Sequence, residues 1–317
     1  MNYFIYNVEL PFSGVQLWYK DINSKQQLML AKLNILFPIE EESYVEYSKV
    51  IKKIILESIE NKKDFSEVNL IDYILFLVKL RIISVGNNLE LMFKNTESST
   101  EENTKITIDL NYFMKSLYET ALEATKNNVL KSKDIEIEIC WPSIKSEEYF
   151  LNPPEKYTDH IIHSIPEYIK SIKIKDKRIF TKDFNQKEKN NLYEKLPISL
   201  KNLILDYVLK MIKILSEKNL FGLKKMDYLR FNFYNKSHQH IIRLLFSENL
   251  RNIYQEYYIL ASKKINPSYV DGLSISERKV YCSFIQEEIK ARNEANDSLD
   301  SNKNSTDLKS LMDEFGE

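Results

Sequence analysis

The stretch LIDYILFLVKLRIISVG, residues 70–86, is the longest apolar-rich run in the chain, and its reading decides the fold. Asp72, Lys79 and Arg81 interrupt it, and it falls short of the roughly 20 apolar residues that cross a bilayer. A segment apolar on nearly all sides is then a helix buried on nearly all sides. The pattern predicts a helix from about Val68 to Val85. Gly86 stops it, in the position that a left-handed cap favours. Asp72 and Arg81 are nine residues apart, about two and a half turns, so they fall on roughly opposite faces and pair with different neighbours. Their role is to orient the buried helix through charge-assisted hydrogen bonds.

Upstream, LPFSG (residues 10–14) places Gly14 in a turn between two apolar stretches, a hairpin use of glycine that requires no ligand. Ser24 with Gln27 forms a capping-box signature, and Leu28, Leu30, Ala31, Leu33 and Leu36 carry a helix to Pro38. A second helix is predicted from near Glu41 to Glu60, with Tyr44, Tyr47, Ile51, Ile54, Ile55 and Ile59 on one stripe.

Downstream, NLELMF and TKITIDL alternate as a strand pair, carrying Leu89, Leu91 and Phe93 against Ile106, Ile108 and Leu110. An acidic loop, NTESSTEEN, separates them. A helix over 112–130 and a strand over 134–140 are expected next. The segment WPSIKSEEYFLNPPEKY, residues 141–157, has three prolines and reads as a linker or long loop. YIKSIKIKDKRIF reads as a basic strand, and LPISLKNLILDYVLKMIKIL as a strongly apolar helix. LRFNFYNK is a short alternating run, and helices follow around 241–246 and 249–264. A last helix opens at Ser274 with Glu277 as its capping partner. From about Asn296 the polar stretch NDSLDSNKNSTDLKS is expected to be disordered.

The fold class predicted is α+β, predominantly helical with short antiparallel strand segments. Four parts are expected: an N-terminal α+β part (1–140), a proline-containing connection with a basic strand (141–180), a C-terminal helical part (181–295), and a disordered tail with a short amphipathic end (296–317).

Composition excludes several functions. With 45 Lys and Arg against 46 Asp and Glu, no global positive charge draws the chain to nucleic acid or anionic lipid. Hydrophobic residues at 43% and charged residues at 29% suit a folded globular chain. The five glycines are scattered, so neither GxGxxG nor GxxxxGK occurs. Cys140 and Cys282 are far apart, which suits a reducing compartment better than a disulfide framework. The opening MNYFIYNVEL lacks the pattern of a secretory signal.

Residue patterns supply no catalytic constellation. HIIH (His160, His163) and HQH (His238, His240) lack the third and fourth ligands that zinc requires, and read as surface or capping histidines. The carboxylates of EEES and TEEN belong to a helix start and a loop. No serine sits in GxSxG, and neither cysteine has a neighbouring histidine. No metal or cofactor is expected. Between Lys170 and Arg178 the lysines at 173, 175 and 177 would share one side of a strand, opposite Ile172 and Ile174. A solvated edge explains this pattern; a nucleic-acid-binding face is the alternative.

Three stretches carry a resemblance: ELPFSG, LIDYILFLVKLRIISVG, and LFSENLRNIYQEYYILASKKINPSYVDGLSISERKVYCSFIQEE. Residues 72–86 and the SERKVY of residues 276–281 are the most specific. In order and separation they resemble the baseplate hub subunit and hub-assembly family of T-even-type contractile-tailed phages. The resemblance implies a non-enzymatic structural or assembly protein. It implies contacts with other baseplate, hub or tail proteins, no small-molecule substrate, and a place in the virion baseplate or in the host cytoplasm during tail assembly. That family brings no catalytic residues. At the C-terminus Leu308, Leu311, Met312 and Phe315 stand at i, i+3, i+4 and i+7, the spacing of a helix that docks in a partner's groove.

Overall fold

The computed structural model describes residues 4–37, 44–94, 103–151, 157–222, 231, 233 and 237–314. The chain packs as two units, one of Met1–Ile22 with Met29–Glu248, the other of Asn23–Leu28 with Asn249–Glu317.

The first unit is built around α3 (Leu70–Ser84), which is buried over most of its length from Leu70 to Ser84. Its start is fixed by Asn69, whose side chain accepts the Asp72 N–H. At its end the N–H of Gly86, at φ +125°, turns back to the Arg81 carbonyl. Strands β1 (Tyr6–Glu9) and β2 (Gln16–Tyr19) form an antiparallel hairpin. Gly14 closes it at φ +69°, with its N–H on the Leu10 carbonyl at 2.8 Å. From β2 the fully buried Tyr19 meets Phe76 of α3 edge to face, 5.1 Å between centroids. Helix α2 (Tyr44–Leu56) buries Tyr44, Tyr47, Ile51, Ile54 and Ile55, the expected stripe. β3 (Asn88–Lys94) and β4 (Asn103–Asp109) pair antiparallel, with Leu89 opposite Ile108 and Leu91 opposite Ile106.

Helix α4 (Leu110–Ala124) ends six residues short of the expected Leu130. Asn127 adopts φ +57°, a left-handed conformation that asparagine tolerates and a continuing helix does not. Val129–Ser132 then forms β5, a strand the apolar spacing had absorbed into the helix. β5 pairs with β6 (Ile135–Ile139), β6 with β7 (Ile169–Ile174), and β7 with β8 (Lys177–Phe180), in one antiparallel sheet of order β5-β6-β7-β8. A division at residue 140 would cut this sheet, so the expected N-terminal part and basic strand belong to the same unit.

The supposed linker is helical. Ser143 caps a 3-10 turn, Ile144–Ser146, which continues into α5 (Glu147–Leu151). Trp141 and Phe150 go into the core, at 2% and 0% exposure. The Leu70 N–H donates to Pro142 O and the Ile144 N–H to Val68 O, so this segment is sewn to the head of α3. Residues 152–156, with two of the three prolines, lie outside the described residues. Helices α6 (Tyr157–Ser164), α7 (Gln186–Glu194), α8 (Ile198–Glu217) and α9 (Ser237–Leu245) complete the unit. α8 buries Leu200, Ile204, Val208, Met211 and Leu215 on one stripe and packs on α4. Of LRFNFYNK only Phe231 and Phe233 are described, and both are buried.

The second unit sets the first turn of α1 (Ser24–Leu36) against α10 (Leu250–Ser262), α11 (Pro267–Gly272) and α12 (Ile275–Glu314). Leu260, Val270, Cys282 and Ile285 form its core. Ser274 and Glu277 exchange the expected capping-box bonds, at 2.8 and 3.1 Å. At α1 the box is one residue earlier than expected: the Asn23 N–H donates to Gln26 Oε1, and the Gln26 N–H to Asn23 Oδ1. Gln27 is taken by the fully buried Arg278, which donates to its Oε1 and, through Nε, to Glu256 at 2.7 Å. The backbone expected to be disordered after Asn296 continues α12 to Glu314. No glycine or proline interrupts residues 275–314, so nothing local breaks the helix.

Candidate partner-binding cleft

Within the first unit a cleft of about 590 Å³ opens between the head of α3, the 141–149 segment and the end of the four-stranded sheet. Each wall is held by specific bonds. Asp72 accepts the Ser13 N–H and hydroxyl, both at 2.6 Å, the Phe12 N–H, and Asn69 Nδ2 at 3.0 Å, which pins the β1–β2 loop to α3. Burial raises the Asp72 carboxyl above its usual range, against the lowering effect of those donors. The Cys140 N–H donates to Tyr168 O at 2.7 Å, and the Thr181 N–H to Lys170 O at 3.0 Å. A full capping box between Asn185 and Glu188 starts α7 and brings Lys189 to the cleft.

On the floor sits Glu167, 4% exposed. One of its oxygens accepts from the Ser146 hydroxyl and from Lys189 Nζ at 2.8 Å; the other, Oε1, has no hydrogen-bond partner among the described residues. Trp141 Nε1, also buried, has none either. Around them stand four lysines, Lys145, Lys170, Lys182 and Lys189, against two glutamates, Glu67 and Glu167. Glu67 pairs with Lys145 at 3.1 Å and Lys170 with Glu138 on β6 at 2.8 Å. Lys182 is exposed. Phe12, Tyr149, Phe180 and Phe184 give the cleft apolar walls.

Burial pushes the Cys140 thiol up to about 12, which leaves it protonated at neutral pH and without the thiolate that attacks a substrate. The Ser146 hydroxyl is spent on Glu167. Among the described residues no group of three His, Cys, Asp or Glu is placed to hold a metal ion.

At Glu147, next in the chain to Ser146, a second polar cluster braces the core. Fully buried Glu147 accepts from Ser48 and Gln239 at 2.5 Å each, pairs with Lys52 at 2.5 Å and lies 3.4 Å from His238. Burial alone would raise its carboxyl; His238 and Lys52 outweigh that and hold it at about 2. His238 is therefore a core residue, where a surface or capping histidine was expected. His240 meets the Tyr44 hydroxyl at 3.0 Å. His163 is exposed, and the His160 side chain lies outside the described residues.

The basic segment is a hairpin whose turn holds Lys175 at φ +53°. Register places Lys173 between Glu136 and Arg178, while Lys177 lies opposite Ile174. The three lysines thus do not share a side, because the turn falls in the middle of the run. β7 is an interior strand, and among the described residues β8 forms that edge. The backbone of Leu308, Leu311 and Met312 belongs to α12, but their side chains, and Phe315 altogether, lie outside the described residues.

Sequence reasoning did not single out Glu167, Trp141 or Glu147, which lie in or near a segment read as a linker. The available signal was Trp141 beside Pro142, a large ring where a solvated linker has no use for one.

A family model described as T4 bacteriophage base plate protein matches residues 1–220. No curated protein matches the chain, and no solved structure does. Among the described residues no helix is long and apolar enough to cross a membrane.

Proposed function

The chain belongs to the T4 bacteriophage base plate protein family, and from that premise we propose that it is a non-enzymatic component of the baseplate hub of a contractile-tailed phage. The observation that carries the reading is the family match over residues 1–220, which takes in all of α3 and the cleft. The order of ELPFSG, the 70–86 helix and SERKVY supports the hub assignment. The protein acts by contacts with other baseplate, hub or tail proteins, in the virion baseplate or in the host cytoplasm while the tail is assembled. It uses no cofactor. Its C-terminal stripe, Leu308, Leu311, Met312 and Phe315, is a further partner contact in this reading.

The test is a phage from which the gene is deleted. Electron microscopy is expected to show tails without complete baseplates, and complementation should restore them. Mass spectrometry of purified virions then decides between a resident subunit and an assembly factor. Intact, infectious particles from the deletion would overturn the proposal.

A further inference from the structure

The outer edge of β8 runs into the cleft at Phe180. Ile174 and Lys177 flank the turn, and the Thr181 N–H bonds Lys170 O. Alternation along the ladder therefore turns the backbone groups of Lys177, Ile179 and Thr181 toward β7, and those of Arg178 and Phe180 away from it. An edge of this kind is a template for another strand. In the same cleft, among the described residues, Glu167 Oε1 lacks a donor and Trp141 Nε1 lacks an acceptor, both in buried side chains. Buried polar groups are almost always paired, and one peptide unit supplies a donor and an acceptor together. Charge selects the kind of peptide: Lys145, Lys170 and Lys189 already pair with glutamates, and the basic charge beyond those pairs comes from Lys182 in the cleft and from Lys177 and Arg178 on the open strand.

We propose that the β8 edge and the cleft bind an extended, acidic peptide segment of another tail protein, which adds as a fifth strand beside Arg178 and Phe180. Its backbone satisfies Glu167 and Trp141 where it enters the cleft. Carboxylates on the segment meet Lys182 and the basic edge. The same lysines that repel a stray neutral or basic strand admit an acidic one. That the segment comes from a tail protein rests on the baseplate reading; the binding chemistry does not.

The test uses the full chain and a short, capped, fluorescein-labelled peptide alternating Glu and Thr, with a Lys-Thr peptide and a single-stranded oligonucleotide as comparisons. Fluorescence polarisation is expected to show saturable binding of the Glu peptide, weakened by salt, and none of the other two. Phe180→Pro removes the outward N–H and should weaken binding about tenfold, whereas Phe180→Ala, which keeps that N–H, should cost less. Lys182→Glu, at an exposed position, should weaken it roughly fivefold. Circular dichroism checks that each variant is folded. Equal binding of the Lys peptide, preference for the oligonucleotide, equal effects of Pro and Ala at 180, or no binding by the intact chain would each overturn the proposal. The deletion phage answers separately for the baseplate reading.

Discussion

Ser13 gives Asp72 both its backbone N–H and its hydroxyl, each 2.6 Å from the same carboxylate oxygen. The pair ties a surface hairpin to the third residue of the core helix, and with it one wall of the cleft. Ser13→Ala is expected to cost about 1 kcal/mol, and Asp72→Ala about 3 kcal/mol because it orphans several donors. Urea denaturation of the two variants measures both. Equal, negligible effects would mean that the loop holds its place without the carboxylate.

Glu147 makes folding sensitive to acid. Its folded-state pKa of about 2 lies below the usual 4.5, so its contribution is full above about pH 4.5 and is lost as pH falls toward 2. A shift of this size corresponds to roughly 3 kcal/mol. Asp72, raised by burial, works in the opposite sense, its contribution declining as pH rises through its folded value. Stability measured by denaturant from about pH 5 down to about pH 2.5 should fall steeply in the native chain. Glu147→Gln should be less stable at neutral pH but flatter across that range.

Gly222 stands at φ +67°, and a Cβ there would lie 2.8 Å from Cε1 of Tyr112. Gly222→Ala is expected to lower stability by about 1–2 kcal/mol. Tyr112 is half exposed, so pairing the change with Tyr112→Ala removes the clash and leaves only the backbone strain. Thermal melts of the four proteins form a double-mutant cycle, and a coupling near zero would place the whole cost in φ.

Changing Lys173, Lys175 and Lys177 together to Gln is expected to alter stability by no more than about 0.5 kcal/mol. The native chain should show no binding to DNA or RNA with the steep salt dependence that phosphate contacts produce. Filter binding across a salt series decides this, and a slope that the triple change flattens would restore the nucleic-acid alternative.

For the C-terminal stripe, a chain ending at Asn304 is compared with a Leu311→Asp, Phe315→Asp double mutant in co-purification from assembling tails. Both should lose partner binding if the stripe is an anchor. Full retention by both would remove Leu308, Leu311, Met312 and Phe315 from the interface.

The sequence by itself determined what is local. The 70–86 run is apolar on too many sides to face water, so burial of α3 needed no further information. Gly14 and Gly86 marked turns with positive φ, and the Ser274–Glu277 box closes within four residues. Only the tertiary structure decided which groups meet across the chain. Gln27 was a good capping partner by spacing, yet Arg278 takes it from 251 positions away, and the cap falls to Asn23 and Gln26. The pairing of β6 with β7 joins segments on both sides of the supposed linker. Glu167, Trp141 and Lys182 become one cleft because that linker is bound to the head of α3. Hydrophobic periodicity reports the solvent exposure of each residue along its own helix or strand. Which buried polar group finds which partner depends on the path of the whole chain, and no short window of sequence contains it.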